Sequence, residues 1–375
     1  MANLELPIVI VCVVLMISID PCMGQKETVT VTDLLGKEVT LDVPVEKMVL
    51  QWSGSGGAFL TLFALEGKDA PQKIAALDSS LKKNRMDIWN KFMETLPEME
   101  NIPEVGDAAE LSVEKVISLK PDVIVVPVRA YNEAPEIYKK VDEAGVPVVT
   151  LDYHSETLEN HTKSILLMGK LLGKEDRAQE LVDYYAQELD KVNQRLKEID
   201  KEPPTVYVEC GNLGPSEYSN SYGRGVMWGE VVEKCRGKNI AEDVLEAGKY
   251  AAINPEYLLK QNPDVIIITG SYWPAVNDSM RLGYGASSED SRKQLEAFAE
   301  RPGWDKLDAV MNNNVYSLHH VLSRDIWDFV GNQYFAKCFY PEEFEDLDPE
   351  ENLKEFYREF MPVEYSGVWM IDLKE

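Results

Sequence analysis

His319 and His320 stand side by side in VYSLHHVLSRDIWDFVGNQY, with Arg324 four residues after the second. They are half of the four histidines in the chain. Imidazoles titrate near neutral pH and can bind a metal, move a proton or hydrogen-bond a ligand. A guanidinium forks the oxygens of an anion. Adjacent strand residues face opposite sides, so both histidines could hold one ion only from an irregular loop. The pattern predicts a strand over VYSL, a turn, and a helix from near Ile326. On this reading the stretch is a binding loop. Arg324 supplies charge, and one histidine hydrogen-bonds the ligand or completes its coordination. Trp327 anchors the helix in the core.

Other residues of the same kind follow apolar strand-like runs. Trp52 and Ser53 open the SGSGG loop, and Arg129 and Tyr131 follow VIVV. Tyr222 and Arg224 lie in GNLGPSEYSNSYGRG, and Tyr272 and Trp273 follow VIIITGS. Together they would line a cleft with aromatic faces and cationic forks, which suits a bulky ligand with apolar faces and anionic oxygens. SGSGG matches neither GxGxxG nor a phosphate loop ending in Lys-Ser/Thr. No nucleophile and base are paired by spacing, so no catalytic residue is assigned and no enzyme activity is expected. A bare metal ion would want a tight cluster of His and carboxylates, which the sequence does not present. The metal ligands, if any, stay open, and no resident cofactor is expected.

These residues must be positioned by elements, and the elements repeat. LSVEKVISLKPDVIVVPVRAY and INPEYLLKQNPDVIIITGSYW each read as a short amphipathic helix, a Pro-Asp turn and a β-branched run. Continuous apolar runs such as VIVV and VIII are expected in parallel strands covered on both faces. EKMVLQW and PTVYVECG read as opening strands, and AGVPVVTLD and NNVYSLHH as closing ones. The chain therefore reads as two α/β lobes of similar plan, Rossmann-like, with the ligand cleft between them. Between them Leu158, Ile165, Met168 and Leu172, then Leu181, Tyr185, Leu189, Val192 and Leu196, recur at helical spacing. Gly173 marks a break, and a long helix follows that would act as a stiff spacer. The expected division is a leader or anchor over 1–24, a first lobe over 25–153 and a connecting long helix over 154–202. A second lobe over 203–340 and a helical tail over 341–375 complete it.

Bulk composition narrows the partners. With 375 residues, 38 basic and 65 acidic, the formal charge is -27. Such a surface repels a phosphate backbone, so nucleic acid is not a partner. The apolar run from Pro7 to Ile19 has signal-peptide length and is short for a membrane span. An extracytoplasmic protein is expected, with a cleaved signal, a lipid-modified Cys22 or a retained N-terminal anchor. Cys210, Cys235 and Cys338 form neither a disulfide framework nor a zinc spacing. One bridge or isolated buried thiols both fit.

Taken in order, these segments resemble the class III solute-binding proteins of ABC importers, which handle iron chelates, haem and cobalamin. VTVTDLLGKEVTLDVPVEKMV is similar to that family's opening hairpin and first strand. The two helix–strand units are similar to its paired units, and RPGWDKLDAVMNNNVYSLHH with YPEEFEDLDPEENLKEFYREF to its C-terminal section. The resemblance implies two lobes joined by a single long helix, little hinge motion and a monomeric receptor that delivers its ligand to a permease with ATPase subunits. GRGVMWGEVVEKCRGKNIAED resembles the helix that carries a transporter-docking glutamate, which makes Glu230 that residue. In the first lobe the nearest position is Leu60, in GGAFLTLFALEG, so a second docking carboxylate is not implied. An iron chelate of the siderophore kind fits the arginines and aromatics. A corrinoid, an oxyanion or another metal complex are alternatives, and a chelatase-like enzyme with His319 or His320 as acid or base is the alternative of another class.

Overall fold

The structure is a computed structural model that describes residues 26–155 and 157–374. The leader, with Cys12 and Cys22, lies outside the described residues. β1 (Glu27–Thr32) and β2 (Glu38–Val43) form an antiparallel hairpin. The first-lobe sheet holds β3 (Met48–Leu50), β4 (Ile74–Leu77), β5 (Val123–Pro127) and β6 (Val148–Leu151). Its order is β4-β3-β5-β6, and every pairing is parallel.

The second lobe repeats the plan. Its strands are β7 (Thr205–Cys210), β8 (Asn220–Tyr222), β9 (Lys238–Asn239), β10 (Tyr250–Ala252), β11 (Val265–Gly270), β12 (Val315–His319) and β13 (Met370–Asp372). The sheet order is β13-β12-β11-β7-β9, with only β13 antiparallel; β8 and β10 pair as a separate ribbon. In both lobes the chain leaves the first strand to one side and returns to the other. Such a reversal opens a crevice beyond the carboxyl ends of the strands. β5 and β11 are buried along their whole length, as continuous apolar runs require.

The repeated Pro-Asp turn has a mechanical role. Asp122 accepts the backbone N–H of Glu46 at 2.7 Å and of Lys47 at 2.9 Å, just before β3. Asp264 accepts the N–H and the hydroxyl of Thr205, at 2.8 and 2.7 Å, at the start of β7. Each carboxylate thus ties the entry of one strand to the start of its first neighbour. The helices before them match as well. Ser112 and Asn254 cap their N-termini, and Lys120 and Asn262 end them in the left-handed conformation.

The connector is two helices, Leu158–Leu172 and Glu175–Glu198, with Gly173 at φ +65° between them. The second has 24 residues, so it spans about 36 Å. The tail differs from the expected helical segment. Its helix, Pro349–Phe360, packs on helices Phe59–Glu66 and Asp328–Phe339. The chain then returns as β13 and completes the second-lobe sheet. Its apolar residues explain the path, since Trp369 is fully buried beside Trp327 and Tyr357. Trp327 is itself fully buried, as a core anchor should be. Cys210, Cys235 and Cys338 are free and buried. Among the described residues no helix is long and apolar enough to cross a membrane.

Candidate binding site

A cleft of about 440 Å³ opens where the strand ends of the two lobes meet. The first lobe contributes Trp52, Arg85 and Arg129, and the second Met227, Tyr250, Trp273, His320 and Arg324. The volume suits a small-molecule pocket.

The first-lobe wall is built on a buried carboxylate. Asp78 accepts the N–H of Trp52 at 2.8 Å and of Ser53 at 3.0 Å, and the Ser80 hydroxyl accepts that of Gly54 at 3.0 Å. Burial pushes the Asp78 carboxyl up from its usual range despite these bonds. Gly56 then reaches the other lobe. Its N–H lies 3.0 and 2.9 Å from the two oxygens of buried Asp325. Gly56 sits at φ +74°, and a Cβ there would lie 2.3 Å from the His154 ring. SGSGG is therefore an interlobe joint. Burial lifts the Asp325 carboxyl to about 7, against the Gly56 bond and the nearby Arg324.

The electrostatics of the cleft oppose those of the surface. Arg85 and Arg324 are buried, and Arg129 lies over the Trp52 ring at 5.8 Å. Burial draws the Arg85 pKa down; Asp87 opposes this, and the Arg324 charge adds to it. Its Nη1 donates to the Asn84 carbonyl at 2.7 Å, while Nε has no partner among the described residues. An anion placed between Arg85 and Arg324 would relieve their repulsion. The acid on the wall, Asp107, is already engaged by the Ser79 hydroxyl at 2.6 Å and Lys83 at 2.9 Å.

His320 lies among Trp273, Tyr222 and Trp228, with ring centroids 5.7, 6.4 and 6.4 Å away. Its Nδ1 is 2.9 Å from the Thr269 hydroxyl, which leaves Nε2 for a ligand. Burial pushes its pKa well below the usual value, and Arg85, Arg324 and His319 push the same way. The ring is therefore neutral at neutral pH.

The other sequence candidates divide by physical cause. His319 ends β12 facing inward, with Nε2 3.8 Å from Asp87 and its ring 4.6 Å from that of Trp369. It does not line the cleft. Ser53 is buried under the loop, and Tyr222 is buried behind His320. Tyr131 stacks on Tyr138 at 5.6 Å, and Tyr272 takes Arg281 over its ring at 5.5 Å. Arg224 points to the surface, where it pairs with Glu233 and Glu242. Among the wall residues, Arg85, Met227 and Tyr250 had no strand-end signal. Met227 did carry a different signal, visible only in the backbone. Trp52, Met227 and Asp325 have φ of +53°, +43° and +70°, and all three lie in or beside the cleft. Side-chain-bearing residues hold such conformations at a cost of about 1–3 kcal/mol; the other four among the described residues, Lys120, Arg236, Asn262 and Asn313, do not line the cleft.

The family described as periplasmic binding protein matches residues 72–322. The chain belongs to the periplasmic binding protein family. The crystal structure of the TroA-like periplasmic binding protein FepB from Veillonella parvula superposes with a TM-score of 0.88. It is 45% identical, and the match covers 92% of this chain and 99% of that one. The molybdate-binding protein MolA of Haemophilus influenzae is 24% identical over 364 residues, 89% of this chain and 91% of that protein. The high-affinity heme uptake system protein IsdE of Staphylococcus aureus is 27% identical over 249 residues, 66% of this chain and 77% of that protein.

The family makes this chain an extracytoplasmic solute-binding protein of an ABC importer, which delivers a small ligand to a permease. The two lobes differ at the positions expected to dock the permease. Glu230 lies on helix Trp228–Lys234, partly exposed and 3.9 Å from Lys234. In the first lobe, helix Phe59–Glu66 is buried from Phe59 to Leu65. It offers no exposed carboxylate in its first turn, and the tail helix covers it.

Proposed function

We propose that the cleft captures an anionic metal chelate, of the iron–siderophore kind, for delivery to the permease. One observation carries this reading. Arg85, Arg129 and Arg324, drawn from both lobes, converge with the neutral imidazole of His320 beneath Trp52, Tyr250 and Trp273. Guanidiniums fork the chelate's oxygens, and the rings cover its faces. A tetrahedral oxyanion would leave the rings unused and most of the 440 Å³ unfilled. A neutral corrinoid would bring no net negative charge to the arginines of the cleft. Among the described residues no three His, Cys, Asp or Glu are grouped to hold a bare ion, so the donor set favours a metal already complexed. Glu230 serves as the docking carboxylate on the second lobe, and the receptor acts as a monomer.

Calorimetric titration with a ferric tris-catecholate, ferric citrate, haem, molybdate and cyanocobalamin tests the reading. The ferric chelates should bind most tightly. Arg324→Ala should weaken them by roughly 1.5–3 kcal/mol, the worth of a buried charge-assisted bond. Tight binding of molybdate or cyanocobalamin, with neither ferric chelate bound, overturns it.

A further inference from the structure

Met227 stands where glycine is the ordinary choice. Its φ of +43° and ψ of -125° belong to a region in which a Cβ is crowded. The neighbouring sequence uses glycine freely. Gly225 sits at φ +71°, and a Cβ on Gly229 would lie 2.0 Å from the Gly223 carbonyl oxygen. A Cβ on Gly223 would lie 2.7 Å from the Glu246 carbonyl oxygen. Three positions in this stretch therefore carry the residue their backbone demands, and Met227 does not. Its backbone role needs no side chain, since its carbonyl starts helix Trp228–Lys234 by accepting the N–H groups of Glu230 and Val231, at 3.0 and 3.2 Å. What the side chain adds is packing against the core beside Val226 and, on the cleft wall, a half-buried thioether.

We infer that Met227 is a specificity-determining residue, retained in a strained conformation so that its thioether reads a flat aromatic face on the bound metal chelate. The inference rests on the chelate reading above and narrows it to chelates with aromatic rings. A thioether is polarizable, unbranched and adaptable, and it gains most against an aromatic ring. A chelate built only of carboxylates and hydroxyls offers it nothing comparable. Catecholates and porphyrins both present such a face, and ferric citrate does not.

The test compares wild type, Met227→Gly and Met227→Leu, each titrated with a ferric tris-catecholate, haem and ferric citrate. Met227→Gly relaxes the backbone but loses the side chain's packing against the core, so the melting temperature of each variant is measured only to show that it is folded. Met227→Gly should bind the aromatic chelate at least tenfold more weakly, while ferric citrate changes less than threefold. Met227→Leu should retain most of the aromatic affinity. A loss confined to haem would identify a porphyrin as the source of the ring, and one confined to the catecholate a siderophore. Two results overturn the inference: unchanged aromatic binding, or equal losses for all three ligands. Wild-type protein that binds no metal chelate at all instead sinks the chelate reading itself.

Discussion

At the scale of single residues, the cleft is made of groups held away from their solution behaviour. Arg85 is drawn down by burial, with the Arg324 charge adding to it, His320 is held neutral, and Asp325 is lifted to about 7. Trp52, Arg129, Trp273, His320 and Arg324 were legible because each follows an apolar strand run, and strand ends are where such clefts form. His319 was a candidate for the same reason, but the alternation of a strand turns it inward toward Asp87 and Trp369. Arg85 precedes helix Met86–Thr95, and Tyr250 sits on the β8–β10 ribbon. Their approach to the cleft depends on pairings distant in sequence, which no local pattern carries. Asp325 gives a prediction with a definite sign. Its folded pKa is raised, so the folded chain keeps a proton that the unfolded chain releases above about pH 4. Stability from this group is lost as pH rises toward 7, and the loss is complete above it. Asp325→Asn keeps an oxygen for the Gly56 N–H and never ionises. Its melting temperature relative to wild type should rise between pH 5 and 7 and level off above. A difference that is flat across this range would mean that Asp325 titrates as an exposed carboxyl.

At the scale of elements, the repeat explains why so much of the fold could be read. Each lobe uses a capped helix, a left-handed residue, a Pro-Asp turn and a buried parallel strand in the same order. The sequence signals for these are local, so periodicity finds them. The tail was less legible because β13 pairs with β12 across more than 50 residues, and the short strand has little alternation of its own. The Pro-Asp turns also lead to a quantitative expectation. Asp122→Ala and Asp264→Ala each remove two accepted bonds at a strand entry. Each should lower folding stability by roughly 1–2 kcal/mol. The sites lie in separate lobes without shared partners, so the double variant should show the sum. Urea denaturation would read all three. A silent single variant would show that the carboxylate does not anchor its strand.

At the scale of the molecule, the lobes are tied together at several places. Helix Glu175–Glu198 is one stiff tie, and its partner helix Asp328–Phe339 packs along it. The Gly56–Asp325 bond is a second tie, made inside the crevice. The tail is a third, because its helix lies on first-lobe helix Phe59–Glu66 while β13 belongs to the second-lobe sheet. A wide hinge motion would have to break the second and distort the third. A cleft held by these ties is preformed, and a preformed cleft binds without the cost of ordering its walls. Ligand should therefore change the overall dimensions very little. A folded chain of this length has a radius of gyration of about 20 Å. Small-angle scattering should give the same value with and without a saturating ferric chelate. A contraction on the order of 1 Å or more would show a hinge wide enough to disrupt the Gly56–Asp325 joint. In that event Asp325→Ala should ease closure, and the three ties would no longer account for how the receptor holds its shape.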